Sequence, residues 1–333
     1  MDLSYSFIIP VYNRPQEIRE LLETMTALEG DIPFEVVIVE DGSDLDAREV
    51  VAAFDNLLDI SYYQKENSGP GDSRNYGMRH ARGNYFIILD SDCLLPPSYL
   101  QAADRELRTA YVDCYGGPDA AHTSFTDLQK AINYAMTSVL TTGGIRGGKK
   151  AVNKFQPRSF NMGISKAAFE RTGGFGTIHP GEDPDLTIRI WKAGYETRLF
   201  PEAYVFHKRR ISWNTFYTQV RKFGKTRPIL NSWHPHTRKL TYWFPTVFVL
   251  GLLISLFAAL LGWYLPLLAY GAYFVAVFAD ALRKEGSPKV ALMAVVAVLV
   301  QFTGYGLAFV YSHILVNLLR KDPKQVFPNL FFN

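Results

Sequence analysis

The C-terminal part of this chain contains three long stretches without a charged residue, and they limit its fold more than any other feature. The stretches are residues 243–261, 265–279 and 290–315. A helix needs about 20 apolar residues to cross the hydrocarbon layer of a bilayer. The second stretch is short, so it either spans with Asp280 near the boundary or stays at the interface. The sequence predicts a membrane region of two or three helices over residues 240–320 and a short tail over 321–333.

Basic residues around these stretches predict which side of the membrane the loops occupy. Arg238 and Lys239 precede the first stretch, and Arg283, Lys284 and Lys289 lie between the second and the third. Cytoplasmic loops carry an excess of Lys and Arg, and the first residues show no secretory signal pattern. We therefore expect a multi-pass protein of the inner membrane with its larger domain in the cytoplasm.

The third stretch conflicts with that arrangement. If it crossed the membrane, it would export the basic residues that follow it, Arg320, Lys321 and Lys324. The sequence leaves it open between a true span and a re-entrant or interfacial helix. A buried helical subdomain is the alternative to a membrane region, and the lengths of the stretches disfavour it.

The residues before the apolar stretches have the pattern of an α/β protein. Residues 6–11, 34–39 and 85–89 are short apolar runs that predict strands, and residues 16–28 and 73–82 have the composition or spacing of helices. Apolar runs that alternate with helices indicate a mostly parallel sheet covered on both faces. The net charge of +3 carries no general nucleic-acid signature. The two cysteines, Cys93 and Cys114, have no metal-type spacing and are expected to be inert.

Polar side chains follow each of the predicted strands. They are Tyr12, Asn13, Asp41, Asp90, Ser91 and Asp92. Ligands of open α/β sheets bind at the carboxyl ends of the strands. Two carboxylates after a buried strand suggest a site for Mg²⁺ or Mn²⁺, because a buried charge is costly unless it is paired or ligates a cation. The alternative is a polar turn whose aspartates are solvated.

Four motifs resemble those of family 2 glycosyltransferases in their order and spacing. They are IPVYNR at 9–14, VEDGS at 39–43, NSGPGDSRNYG at 67–77 and ARGNYFIILDSD at 81–92. The similarity continues to residues 161–163, 173–175 and 181–183. It implies a GT-A-like catalytic domain over 1–235, with a nucleotide half at 1–120 and an acceptor half at 121–235. The C-terminal helices resemble the family only in that some of its members also have membrane segments.

The resemblance implies a nucleotide-sugar site. Asp41 would bind the base in a slot walled by Pro10 and Tyr12, with Asn13 beside it. Arg74 would meet phosphate or support the nucleotide, because a guanidinium suits phosphate geometry. Strand-end capping, core packing and a solvated helix start are the alternatives for these residues.

The resemblance also implies a divalent metal, Mn²⁺ or Mg²⁺. Asp92 would be its direct ligand, and Asp90, next to Ser91, would be a further ligand or reach ribose or water. His207, after another apolar run, is an additional candidate for the metal or for phosphate. Its alternative is a structural, hydrogen-bonded histidine.

An acidic pair provides the candidate catalytic base. Glu182 and Asp183 precede a predicted helix, and in the resembling family the second acid removes the acceptor proton while the first supports it. Inversion at the anomeric carbon is implied in the same way. Capping of the helix is the alternative, because acidic residues stabilise a helix start, and it fits Asp185 better than Asp183.

A basic juxtamembrane segment, residues 207–239, is expected to face anionic headgroups and to suit a lipid-linked diphosphate acceptor. The sequence QVRKF at 219–223 approaches the Gln-x-x-Arg-Trp motif of processive members. Gln219 and Lys222 are therefore candidate contacts to the acceptor or diphosphate. Lys and Phe in the last two places of the motif argue against a processive synthase. A second basic stretch, 142–150, is either a lid or a linker.

The expected function is transfer of one sugar from a nucleotide-diphosphate donor, by default a UDP-sugar, to a cytoplasmic-face acceptor. The acceptor is expected to be a lipid-linked saccharide in envelope polysaccharide or glycolipid assembly. A simple lipid or polyprenyl phosphate is the alternative acceptor. A processive synthase, a nucleotidyltransferase and a non-enzymatic membrane scaffold are the competing functions.

Overall fold

The structure is a computed structural model, and it describes residues 2–120, 125–142, 155–207 and 212–332. The chain divides into two compact units. The sheet unit comprises residues 1–122, 149–208 and 331–333, and the helical unit comprises residues 123–148 and 209–330. The predicted stretch 143–150 and the basic residues 208–210 lie outside the described residues.

Ten strands form two sheets in the described residues of the sheet unit. The strands are β1 Tyr5–Val11, β2 Phe34–Asp41, β3 Ile60–Lys65, β4 Tyr85–Leu89, β5 Cys93–Leu94, β6 Cys114–Gly116, β7 Asp119–Ala120, β8 Asn161–Ser165, β9 Thr197–Leu199 and β10 Val205–His207. The larger sheet has the order β3-β2-β1-β4-β8-β6-β9, and the smaller has the order β5-β10-β7. In the larger sheet β8 runs antiparallel to both of its neighbours, and the other pairs are parallel.

Thirteen α-helices occur in the described part of the chain. They are α1 Pro15–Thr26, α2 Arg48–Ala52, α3 Pro70–His80, α4 Tyr99–Thr109, α5 Asp127–Thr137, α6 Val139–Thr142, α7 Lys166–Thr172, α8 Glu182–Lys192, α9 Trp213–Trp233, α10 Phe244–Leu260, α11 Leu265–Glu285, α12 Pro288–Ser312 and α13 Pro323–Val326. Short 3₁₀ segments occur at Pro235–Thr237, Leu240–Trp243 and Pro328–Leu330, and a π-helical segment, His313–Leu318, continues α12.

Apolar strands fill the centre of the larger sheet, as the sequence predicts. β1, β2 and β4 are buried along nearly their whole length. Helices α1 and α4 pack on one face of this sheet, and α3, α7 and α8 pack on the other. Gly77 lets α3 approach β1, because a Cβ at that position would lie 2.7 Å from the side chain of Ile8. The predicted fold class, an α/β domain with a mostly parallel sheet, is confirmed.

Within its described residues, the helical unit contains three helical segments that are long and apolar enough to cross a membrane. They are Leu240–Leu260, Leu265–Glu285 and Pro288–Leu318. The second is longer than the charge-free stretch at 265–279, because the helix continues through Asp280 and ends only at Gly286, which has a φ of 67°. Helices α5 and α9, which we expected in the acceptor half of the catalytic domain, belong to this unit because they pack against α12.

Candidate active site

Arg74 connects two acidic motifs that are far apart in the sequence. Its Nη2 donates a hydrogen bond of 2.7 Å to Asp90 Oδ1, and its Nη1 lies 3.5 Å from Glu182 Oε1. Only 3% of Arg74 is exposed, and a buried guanidinium is tolerated when carboxylates compensate its charge. Arg74 therefore brings the end of β4 and the start of α8 together.

The acidic pair at the start of α8 has two different environments. Glu182 is buried, and its Oε1 lies 2.8 Å from His179 Nδ1. Burial favours the neutral form of Glu182, but His179 and then Arg74 outweigh burial and lower its pKa to about 2. For Asp183 the balance is reversed: burial and then the charge of Glu182 outweigh the effects of Arg74, Arg158 and Ser159 and raise its pKa to about 6. The pair therefore combines a fixed anion with a carboxylate that is more basic than usual.

One carboxylate oxygen of Asp183 lacks a hydrogen-bond partner among the described residues. This oxygen, Oδ1, is enclosed. An enclosed oxygen without a partner costs free energy in the folded state, so it suggests a site that a ligand completes. An acceptor hydroxyl is a suitable donor to this oxygen.

Asp92 is held between two basic side chains. Arg14 Nη1 donates to its Oδ2 over 2.6 Å, and His207 Nε2 lies 3.0 Å from its Oδ1. Burial favours the neutral carboxyl, but His207 and then Arg14 outweigh burial and lower the pKa of Asp92 to about 2. Asp92 is therefore an anion at neutral pH, as a metal ligand must be.

The residues around Asp92 fit a divalent cation. Asp92, Cys93 and His207 offer ligand atoms that all lie within 4.8 Å of one another. A carboxylate and an imidazole suit Mn²⁺ or a similar ion. Asp90 is outside this cluster and pairs with Arg74 instead. The Cys93 thiol, expected to be inert, is buried, lies 3.4 Å from the Phe160 carbonyl and belongs to the cluster.

Asp41 is buried and already has several hydrogen-bond donors. The backbone N–H groups of Ser68 and Gly69 donate to its two carboxylate oxygens over 3.0 Å each, and Lys65 Nζ binds Oδ1. The carboxylate thus fixes the loop that precedes α3. Its Oδ2 accepts only from Gly69 among the described residues, so it has a lone pair left for a further donor.

The remaining predicted donor contacts lie around the ends of β1 and β4. Tyr12 is 50% exposed, Pro10 is half-buried and Ser91 is buried. Asn13 has a φ of 53°, and its side-chain oxygen accepts from Leu45 N–H over 3.0 Å. This bond gives Asn13 a structural role in the loop after β1, whatever it binds.

Sequence reasoning missed three residues that touch the predicted site: Arg14, His179 and Cys93. Arg14 lies within the IPVYNR motif, so its position in that motif was the available signal. Nothing in the local sequence of His179 indicates its contact with Glu182.

The predicted acceptor contacts lie in the helical unit. Gln219 and Lys222 are on α9, and Gln219 is exposed. Lys222 lines a cavity of about 190 Å³ together with Arg221, Lys225 and residues 326–330.

The sequence profile of glycosyl transferase family 2 matches residues 6–172 of this chain. A chondroitin synthase from Escherichia coli is 26% identical over 236 residues, which cover 61% of this chain and 34% of that protein. The chain spans about a third or less of the length of curated relatives such as this one.

Solved structures with the same fold include the following two. The mannosyltransferase PcManGT from Pyrobaculum calidifontis, in complex with GDP-Man and Mn²⁺, has a TM-score of 0.57 and 18% identity, covering 97% of this chain and 89% of that one. TarS from Staphylococcus aureus in complex with UDP-GlcNAc has a TM-score of 0.51 and 17% identity, covering 92% and 90%. These likenesses support the GT-A-like fold. Because the family profile covers half of the sequence, the chain belongs to glycosyl transferase family 2.

Proposed function

We propose that the protein transfers a single sugar from a nucleotide-diphosphate donor to a lipid-linked saccharide at the cytoplasmic face of the inner membrane. This reaction would serve envelope polysaccharide or glycolipid assembly. A UDP-sugar is the default donor, since the TarS neighbour holds UDP-GlcNAc; the PcManGT neighbour, which holds GDP-Man, makes a GDP-sugar the alternative. The acceptor alternative is a simple lipid or a polyprenyl phosphate.

The state of Asp183 is the observation that carries this proposal. A carboxylate with a pKa of about 6 is deprotonated at neutral pH, yet it is a stronger base than an ordinary aspartate. Asp183 accepts the proton of the acceptor hydroxyl while that oxygen bonds to the anomeric carbon and the nucleoside diphosphate leaves. Direct displacement of this kind inverts the anomeric configuration.

The other site residues bind and orient the donor. Asp41 binds the base beside Pro10 and Tyr12, and Arg74 holds Asp90 and Glu182 in place while its charge favours the diphosphate. Glu182 keeps the pKa of Asp183 high by its negative charge. Asn13 and Ser91 shape the ends of β1 and β4 next to this donor site.

Asp92 and His207 would hold a divalent ion, with Asp90 and Cys93 beside them. When bound, such an ion neutralises charge that develops on the leaving diphosphate. Arg14 must then move off Asp92 or share it, because the two are in direct contact.

The cavity on α9 supports an acceptor that carries phosphate. Arg221, Lys222 and Lys225 line it, and none of the three forms an ion pair with a carboxylate among the described residues. Burial and then the charges of Arg221 and Lys222 lower the pKa of Lys225. Three cations held together without an acid suggest an anion site, and phosphate esters match it.

A panel of nucleotide sugars tests the proposed function. We expect one of them, in the presence of Mn²⁺, to raise the unfolding temperature of the detergent-solubilised protein. A ligand at about 100 times its Kd stabilises the folded state by about 2.7 kcal/mol. Failure of every nucleotide sugar to stabilise folded protein would favour the scaffold, and release of pyrophosphate from a nucleoside triphosphate would favour a nucleotidyltransferase.

Replacing Lys222 by alanine is expected to weaken binding of farnesyl diphosphate about 10- to 100-fold, and binding of farnesol hardly at all. Removing a charged hydrogen-bond donor typically costs about 1.5–3 kcal/mol. Arg227→Ala is the matched control, because Arg227 lies on the same helix but stacks on Tyr242 at 4.4 Å. Equal weakening by the two variants would argue against the cavity as the phosphate site.

A further inference from the structure

The three apolar helical segments of the helical unit are not equivalent. Only 17% of the most apolar window of Leu240–Leu260 and 11% of that of Leu265–Glu285 are buried inside the protein, whereas 44% is buried for Pro288–Leu318. The first two are joined by a short turn with exposed Trp263 and Tyr264, side chains that suit a membrane interface. In both α10 and α11 the basic residues lie at the end away from this turn. These two helices have the features of a spanning hairpin.

Helix α12 has a protein-covered side and an open side. Along the covered side, small residues allow close packing with α9: a Cβ on Gly304 would lie 2.6 Å from Val220, and one on Gly224 would lie 2.4 Å from the Tyr305 carbonyl. Further along, Ser312 Oγ donates to the Lys225 carbonyl over 2.6 Å. The second half of α12 therefore runs beside the basic part of α9.

The basic part of α9 raises the free energy that α12 would need to cross the membrane. Arg221, Lys222, Lys225 and Arg227 lie on the stretch of α9 that accompanies α12. A charged residue at the centre of a bilayer costs about 2.5–3.5 kcal/mol even on insertion scales. A spanning α12 would take these charges towards the hydrocarbon, whereas a helix at the surface leaves them in the headgroup region, where they are favourable.

The open side of α12, together with the π-helical segment that continues it, carries an apolar stripe of exposed side chains. Its members are three to four residues apart or at multiples of that spacing, and they are Leu292, Val296, Leu307, Tyr311, Ile314 and Leu318. An almost wholly apolar groove of about 270 Å³, lined by Val249, Leu250 and part of the stripe, continues it to α10. The groove thus connects the stripe to α10, which has the composition of a membrane span. Lipid is therefore the partner that covers the stripe.

The end of the chain gives an independent argument. Residues 331–333 belong to the sheet unit: Phe331 pairs with Ile178, and Phe332 N–H donates to the Thr177 carbonyl over 3.0 Å. The chain leaves the sheet unit before α10 and has returned to it by Phe331. An even number of crossings is therefore required, and α10 and α11 supply two.

We infer that α10 and α11 cross the membrane and that α12 lies along its surface, with the apolar stripe docked on the lipid on the same side as the sheet unit. This arrangement keeps Arg320, Lys321 and Lys324 on that side, so the conflict in the charge pattern disappears. It is independent of the reaction that the sheet unit catalyses.

Labelling of single cysteines tests this topology in the full-length protein. The chain has two cysteines, Cys93 and Cys114, and both are buried, so new exposed cysteines would dominate labelling. Trp263→Cys reports the α10–α11 turn, Lys321→Cys reports the end of α12, and Asp31→Cys reports the sheet unit; all three positions are exposed. A membrane-impermeant maleimide is applied to right-side-out and inside-out vesicles.

We expect Lys321→Cys and Asp31→Cys to react from the same side and Trp263→Cys to react from the opposite side. A reaction of Lys321→Cys from the same side as Trp263→Cys would mean that α12 crosses, and would overturn the inference. A reaction of all three from one side would overturn it as well, because α10 and α11 would then not span.

Discussion

Replacing Asp183 by asparagine is expected to lower the rate of sugar transfer by about 10² to 10⁴-fold while donor binding is retained. This is the range that a general base contributes, and asparagine keeps the shape of the side chain but cannot take a proton. The measurement is transfer from the donor identified in the thermal-shift panel, together with the stabilisation that this donor gives to the variant. Wild-type rates in the variant would refute the assignment of Asp183 as the base.

Asp185→Asn is the matched control, because Asp185 lies in the same helical turn and its Oδ2 pairs with Arg189 at 2.9 Å. We expect it to reduce stability more than the transfer rate per folded molecule.

The wild type should also lose kcat/KM as pH falls through about 6, because protonation of Asp183, whose pKa is raised to about 6, removes the base. A wild-type profile that is flat from pH 5 to 8 would contradict this role.

The core strands and helices were predictable because their apolar patterns are local. The runs at 34–39 and 85–89 are within β2 and β4, and the helix expected at 16–28 is α1 with its buried face of Ile18, Leu21, Leu22 and Met25. Apolar periodicity reports which residues face a core. It does not report which of two cores they face, and for that reason the residues of α5 and α9 were placed in the acceptor half of the catalytic domain rather than with α12.

The candidate site was predictable only in part. Its acidic motifs follow strands or begin a helix, and the parallel sheet requires that strand ends meet. The pairings between these motifs depend on tertiary packing. Arg74 bridges Asp90 and Glu182 because Gly77 brings α3 onto the sheet, and no spacing in the sequence encodes that contact. The same holds for Arg14 and His207 on Asp92.

Replacing Asp92 by alanine is expected to abolish the part of donor stabilisation that depends on Mn²⁺. Asp92 is the carboxylate of the cluster with Cys93 and His207, and without it an imidazole and a buried thiol make a poor site for a hard cation. For a donor at about 100 times its Kd, loss of binding removes about 2.7 kcal/mol of stabilisation. The unfolding temperature is measured with and without donor and Mn²⁺.

Asp92→Ala also leaves Arg14 and His207 without their carboxylate, so the ligand-free variant should unfold at a lower temperature. Asp104→Asn controls for this effect: Asp104 is a buried carboxylate that accepts from Tyr5 and pairs with Arg108, outside the candidate site. We expect Asp104→Asn to lower the unfolding temperature of the ligand-free protein but to keep the full increase that donor and Mn²⁺ give. If Asp92→Ala kept the Mn²⁺-dependent increase in unfolding temperature, the cation would be bound elsewhere. The nearest remaining carboxylate of the motif is that of Asp90, and it is already paired with Arg74. Comparing the ligand-induced increase in unfolding temperature between the two variants separates the loss of ligand binding from the loss of a buried ion pair.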